Sequence, residues 1–230
     1  AMNDPRPASN EPLLDISMAL SEAIAVFPGD TPLSREVLLD TAKGDHITLS
    51  TLRSTVHVGT HLDAPTHYGG ETETIDRVPL SRTVGECVVL RCAGPFTDRR
   101  VRLANLADSL EALGLAGDMP LPERVLIATD TFPDPNTWTN DFAGLDPALV
   151  DHLADRGAGL VGVDTPSVDC ADSKDLPAHA RCLARDVLIL EGLRLAQVES
   201  GRYELLCLPL RLVGFDASPV RAALRRLPSR

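Results

Sequence analysis

Apolar and polar residues alternate from Leu13 to Met18, the period-two pattern of a half-buried strand. Turn chemistry follows at Phe27-Pro28-Gly29-Asp30, where Pro presets φ and Gly admits a left-handed turn. The stretch His46–Val58 is dense in Thr, Val and Leu and reads as further extended chain, so the first half is β-rich. The second half changes period. Leu103–Leu113 (LANLADSLEAL) repeats its apolar residues at helical spacing, and Arg124–Thr129 after it predicts a strand. Asp146-Pro147 has the chemistry of a helix start, and the segment it opens (DPALVDHLADRG) ends at Gly157 as a C-cap. GLVGVD, Asp186–Leu190 and Tyr203–Val213 are further strand candidates. Helices alternating with strands behind a β-rich first half predict an α/β or α+β domain with a mixed sheet.

Length and composition narrow the function classes. The 230 residues fit one domain over 13–230, with residues 1–12 a disordered, Pro-rich lead-in whose charges do not suit a signal peptide. A net charge of −11 argues against nucleic acid and anionic membranes as partners. No apolar stretch approaches the roughly 18–20 residues of a membrane helix. Hydrophobic residues make up 43% but aromatic residues only 3%, so the core is expected to be mainly aliphatic. Five cysteines, odd in number and without a Cys-x-x-Cys pair, point to a reducing cytoplasm.

The chemistry concentrates in His57-Val-Gly-Thr-His61-Leu-Asp63-Ala-Pro-Thr-His67. Imidazoles and a carboxylate are the ligand set of Zn²⁺ and related divalent ions. Gly59, Thr60 and Pro65 disfavour a helix here. In an extended segment, 57, 61, 63 and 67 share one parity, so all four side chains would leave on one side. A solvated strand face is the alternative, which three histidines and an aspartate at one parity make hard to sustain. His46 and His152 read as surface or cap residues. His179 and Glu191 are metal-capable, but from spacing alone a solvent-facing role is as good a reading for Glu191. Cys170 and Cys182 flank His179 and suit either a thiolate ligand or, more commonly, buried packing. Gly157-Ala-Gly159-Leu-Val-Gly162 has the letters of a dinucleotide fingerprint, but it follows a helix and enters a strand, the reverse of the required order. No Gly-x-Ser-x-Gly nucleophile elbow occurs.

The His57–His67 stretch resembles the signature of the metal-dependent cyclase/amidohydrolase family that includes bacterial kynurenine formamidase and isatin hydrolase. Phe27-Pro-Gly-Asp-Thr-Pro32, Val163-Asp164-Thr-Pro-Ser-Val-Asp169 and Ile189-Leu-Glu191-Gly-Leu are similar to further family motifs, and Leu208-Pro-Leu and Asp216-Ala-Ser-Pro-Val-Arg221 to the formamidase branch. The resemblance implies a swivelling β/β/α fold, a homodimer or higher homo-oligomer, and two Zn²⁺ per subunit, with Mn²⁺ or another divalent metal as the alternative. It implies His57, His61 and Asp63 on one ion, with Asp63 bridging to a second held by His179 and Glu191. It further implies hydrolysis of a small aryl formamide, N-formyl-L-kynurenine, by metal-bound hydroxide with His67 as general acid/base. Phe27 stands where the formamidases carry Trp, and Phe27 and Tyr68 are the pocket aromatics on which substrate choice is expected to turn, Tyr68 being equally suited to packing. The alternatives are an isatin hydrolase-like opening of a cyclic amide or lactone, and a non-catalytic metal-binding protein, against which His67 argues.

Overall fold

Along the chain, β1 (Leu14–Asp15) is followed by β2 (Ser34–Leu39), β3 (Leu49–Arg53), the three-residue β4 (His61–Asp63) and the single-turn helix α1 (Thr66–Gly69). Then come β5 (Val84–Arg91), β6 (Arg100–Val101), α2 (Leu103–Ala112), β7 (Arg124–Ala128), β8 (Gly144–Leu145) and α3 (Pro147–Asp155). β9 (Leu160–Val163), α4 (Pro177–Ala184), β10 (Leu188–Glu191), β11 (Gly201–Cys207), β12 (Ala217–Pro219) and β13 (Ala222–Arg226) follow. This computed structural model describes residues 13–227, so the lead-in expected over 1–12 lies outside the described residues.

Nine strands form one mixed sheet in the order β1-β13-β11-β5-β7-β9-β10-β4-β12. Its centre, β5-β7-β9-β10, is parallel. A helix lies in each connection between these parallel strands, as their geometry requires. The flanking pairs are antiparallel. Both faces of the central strands are buried, which is why they read as nearly continuous apolar runs. In β7, Val125 and Ile127 pack under the helices with Leu106, Leu149 and Leu153. Leu126 and Ala128 face the opposite side with Leu62, Leu190 and Leu205. The chain is thus an α/β fold built on a large mixed sheet.

The two helices read from periodicity form over nearly the expected residues. Asp146 caps α3 by accepting the Ala148 N–H at 3.0 Å, and Gly157 follows it with φ +103°. The first half is β-rich as expected, with β1 to β6 preceding α2, but the predicted strand extents need correction. Leu13–Met18 contributes only two strand residues. Within His46–Val58 only Leu49–Arg53 is strand, and it pairs with β2 in a ribbon outside the main sheet. Leu38, Leu49 and Leu52 of that ribbon are exposed. Strand β11 ends at Cys207, before Pro209, which has no N–H for a ladder.

Candidate metal centre

The antiparallel pairing of β4 with β10 builds the heart of the site. Glu191 lies opposite His61, and Ile189 opposite Asp63. Residues paired across a ladder share a face, so His61, Asp63 and Glu191 all project toward the helices. Leu62 points the other way, into the core. Helix α4 brings His179 over this face. Asp169 anchors the start of α4 by accepting the Ala178 and His179 N–H groups at 3.0 and 3.1 Å, and it also receives His179 Nδ1 at 2.9 Å. Its charge suits the positive end of the helix, and its contact leaves His179 Nε2 directed at Asp63 and Glu191, 3.8 Å from each.

The shared-parity argument holds for His61 and Asp63 only. His57 precedes the strand in a loop, and His67 lies in α1, yet both rings turn back onto the cluster, with centroids 4.1 Å apart. The loop is possible because Gly59 (φ +60°) and Gly192 (φ +67°) cross closely; a Cβ on Gly192 would overlap the Gly59 carbonyl. His57 Nδ1 lies 3.1 Å from Asp63 Oδ1, His61 Nε2 3.4 Å from the same oxygen, and His61 Nε2 3.3 Å from Glu191 Oε2. The donors form two groups that share Asp63: His57, Asp63 and His67, and His61, Asp63 and Glu191. The expected partition of ligands between two ions differs from this grouping in three places: His61 stands with Glu191 rather than with His57, His67 joins His57, and His179 belongs to neither group. Asp216, on which the residue pattern bestowed no role, accepts from His57 Nε2 at 2.9 Å and lies 3.4 Å from His67 Nδ1.

Three atoms of the cluster, His61 Nε2 and both oxygens of Asp63, are buried without a hydrogen-bond partner. Orphaned buried polar atoms are costly. Together with hard oxygen and imidazole nitrogen donors, they fit a divalent cation. The electrostatics agree. Burial works against protonation of His57, but Asp63 and Asp216 overcome it and raise its pKa from 6.5 to about 9. His179 is likewise disfavoured by burial and raised by Asp169 and Asp63 to about 10. Burial pushes the Asp63 carboxyl up, yet the imidazoles of His179, His57 and His61 hold it well below its ordinary value. Cys182 packs in the helix-side core, where burial raises its thiol pKa, and Cys170 faces the Arg99 carbonyl at 3.3 Å. Neither joins a donor group among the described residues.

A cavity of about 750 Å³ opens beside the cluster and is lined both by His57, His61, His67, His179, Glu191 and Asp216 and by Phe27, Phe132 and Trp138. Phe27 therefore sits in the cavity wall. Tyr68 does not line it; the Tyr68 ring stands edge-on behind His179, with centroids 5.2 Å apart, and packs on the helix-side core. Trp138, the chain's one tryptophan, escaped the sequence reading because it lies in a polar loop without periodicity.

The sequence profile of the cyclase family matches residues 14–170, more than half of the chain, including His57, His61, Asp63 and His67. Among solved structures, one named as a potential metal-dependent hydrolase with cyclase activity is 27% identical, with a TM-score of 0.78 over 94% of this chain and 99% of its own. A predicted metal-dependent hydrolase from Bacillus stearothermophilus is 25% identical, with a TM-score of 0.74 over 94% and 98%. Isatin hydrolase A from Labrenzia aggregata, bound to benzyl benzoate, shares the fold at 20% identity and a TM-score of 0.77, covering 93% of each chain. With Asp63 and the histidines of its motif inside the matched span of 14–170, which is more than half of the sequence, the chain belongs to the cyclase family.

Proposed function

We propose that the protein is a metal-dependent hydrolase that cleaves aryl formamides, N-formyl-L-kynurenine foremost, to the free amine and formate. The observation that carries this reading is Asp63, whose two carboxylate oxygens are fully buried, unbonded and ringed by His57, His61 and His179 beside an aromatic-walled cavity. The two structures named as metal-dependent hydrolases, at 27% and 25% identity, support it. In this reading His57, His61 and Asp63 hold one Zn²⁺, and Asp63, His179 and Glu191 a second, with Mn²⁺ the alternative. Bound divalent ions supply Lewis-acid polarisation of the carbonyl and a lowered pKa for water.

The chain's own groups do the rest. The His67 side chain is one-third exposed at the cavity, where an imidazole can take a proton from the attacking water and return it to the departing amine nitrogen. Asp216 steadies that ring through Nδ1. Phe27 and Trp138 offer ring surfaces to the aryl group. A second reading, opening of a cyclic amide or lactone such as isatin, is favoured by Phe27 in the position where the formamidases carry Trp. Hydrolysis of N-formylkynurenine and of isatin, with metal content measured before and after chelation, separates the two; activity surviving complete metal removal would sink both.

The same reading makes the protein a cytoplasmic homodimer or higher homo-oligomer. Five free cysteines support the compartment, and the exposed Leu38, Leu49 and Leu52 of the β2–β3 ribbon support self-association. No helix among the described residues is long and apolar enough to cross a membrane. Light scattering on the wild type and on Leu52→Glu is expected to show an oligomer and its weakening, respectively; a wild-type monomer contradicts the assembly.

A further inference from the structure

Two features of the cavity are left unused by the metal chemistry. The first is its aromatic wall. Phe27 and Trp138 meet edge to face with centroids 5.0 Å apart, and Phe132 stands 6.1 Å from Trp138. With Phe142 packed behind them, four of the chain's eight aromatic residues gather at this one place. The second is a cation. Lys174 is one of only two lysines among 22 basic residues, and among the described residues no other Lys or Arg lines the cavity. Among the described residues it has no carboxylate partner within ion-pair distance, although Asp172 and Asp175 are its near neighbours in sequence.

Lys174 stands on a fastened turn. Arg99 grips both oxygens of Asp172 at 2.7 Å, and the Ser173 N–H donates to the Cys170 carbonyl at 2.9 Å. Asp169 ties the segment to the start of α4. One short stretch of chain thus sets His179 at the donor cluster and Lys174 and Ser173 on the same cavity. A protein of net charge −11 repels anions at long range, and with the bound ions engaged at the reacting carbonyl, a substrate carboxylate needs a further local cation. Of the cavity's carboxylates, Glu191 and Asp216 are engaged by histidines, which leaves Asp30 as the free competitor.

We propose that Lys174 is a specificity-determining residue that selects aromatic substrates bearing a carboxylate, with the ring against Phe27 and Trp138 and the carboxylate on the Lys174 ammonium and Ser173 hydroxyl. The proposal rests on the cavity being the substrate site of the hydrolase argued above. It is tested by two independent measurements. Because Trp138 is the sole tryptophan, its emission reports binding without turnover, and 3-phenylpropionate, 3-phenylpropan-1-ol and 3-phenylpropylamine present one ring with an anionic, neutral or cationic head.

The anion is expected to bind the metal-loaded enzyme about five- to tenfold more tightly than the alcohol, the range of a partly exposed ion pair. That ratio is expected to collapse to about twofold or less in Lys174→Ala and to be kept in Lys174→Arg. Equal affinities, preference for the amine, a ratio that survives Lys174→Ala, or no emission response to any probe would overturn the proposal. The second measurement compares kcat/KM for 3-formamidobenzoate and 3-formamidobenzamide, whose ratio should follow the probe ratio. Turnover of both without discrimination defeats the anchor and leaves the hydrolase standing. Charge-selective binding with no turnover of either formamide defeats the formamidase reading and leaves the anchor.

Discussion

Asp63 and His67 lie four residues apart and are assigned opposite duties, one holding cations and the other moving protons. Replacing Asp63 with Ala removes the only side chain common to both donor groups, so metal content and activity are expected to fall together. His67→Ala is expected to keep the metal and lose about 10²–10⁴-fold in kcat, the usual weight of a general acid/base. Metal analysis beside kcat checks both. If His67→Ala also loses metal, its place beside His57 and Asp63 is that of a ligand. Asp169 works one step further out. Asp169→Asn keeps an acceptor for His179 Nδ1 but removes the charge that fixes the ring, and metal affinity should fall about 10- to 100-fold with the fold intact. Unchanged affinity by competitive chelator titration would mean that Asp169 serves only to start α4.

At the scale of elements, the strongly patterned segments were legible in the sequence and the short ones were not. Helices α2 and α3 announce themselves by period, and β7 and β9 by apolar runs that reflect burial on both faces. The strand β4 is only three residues long, too short for any period to register, and it is recognisable by its chemistry alone. His57 and His67 reach the cluster through a glycine turn and a single helical turn, which no parity rule can foresee. Helix α4 carries Pro177 at its first position, but its N-cap is Leu176 in a left-handed conformation (φ +43°) and Asp169 caps it from outside, so the local sequence lacks a capping side chain. The Gly59–Gly192 crossing is the element-level feature most open to test. Gly192→Ala adds a Cβ where a carbonyl already lies and strains a positive φ. It is expected to cost about 2 kcal/mol or more of stability and to lower metal content, as read by urea unfolding and metal analysis. Wild-type stability in that variant would show that the loop can give way.

For the molecule as a whole, the cluster links pH to stability with a definite sign. His57 and His179 hold protons more tightly in the folded chain, at about 9 and about 10, than an ordinary histidine at 6.5. Their contribution to the metal-stripped protein is therefore complete below pH 6.5 and lost as pH rises through 9 and 10. Its melting temperature should fall across that window, while divalent-ion affinity rises there because ligands must shed their protons. A flat melting temperature for the stripped protein would contradict the linkage. The donors themselves were readable as a motif, whereas Asp216 was legible only as part of the Asp216–Arg221 motif and without its role, because it reaches His57 from 159 residues away. That distance bears on how the molecule is made. Until the ribosome has delivered the segment that pairs beside β4, a nascent chain displays the first four donors on and beside an unfinished strand with an open edge. The full donor set is therefore complete only after His179 and Glu191 have been made, and a chain stalled midway carries ligands but no centre.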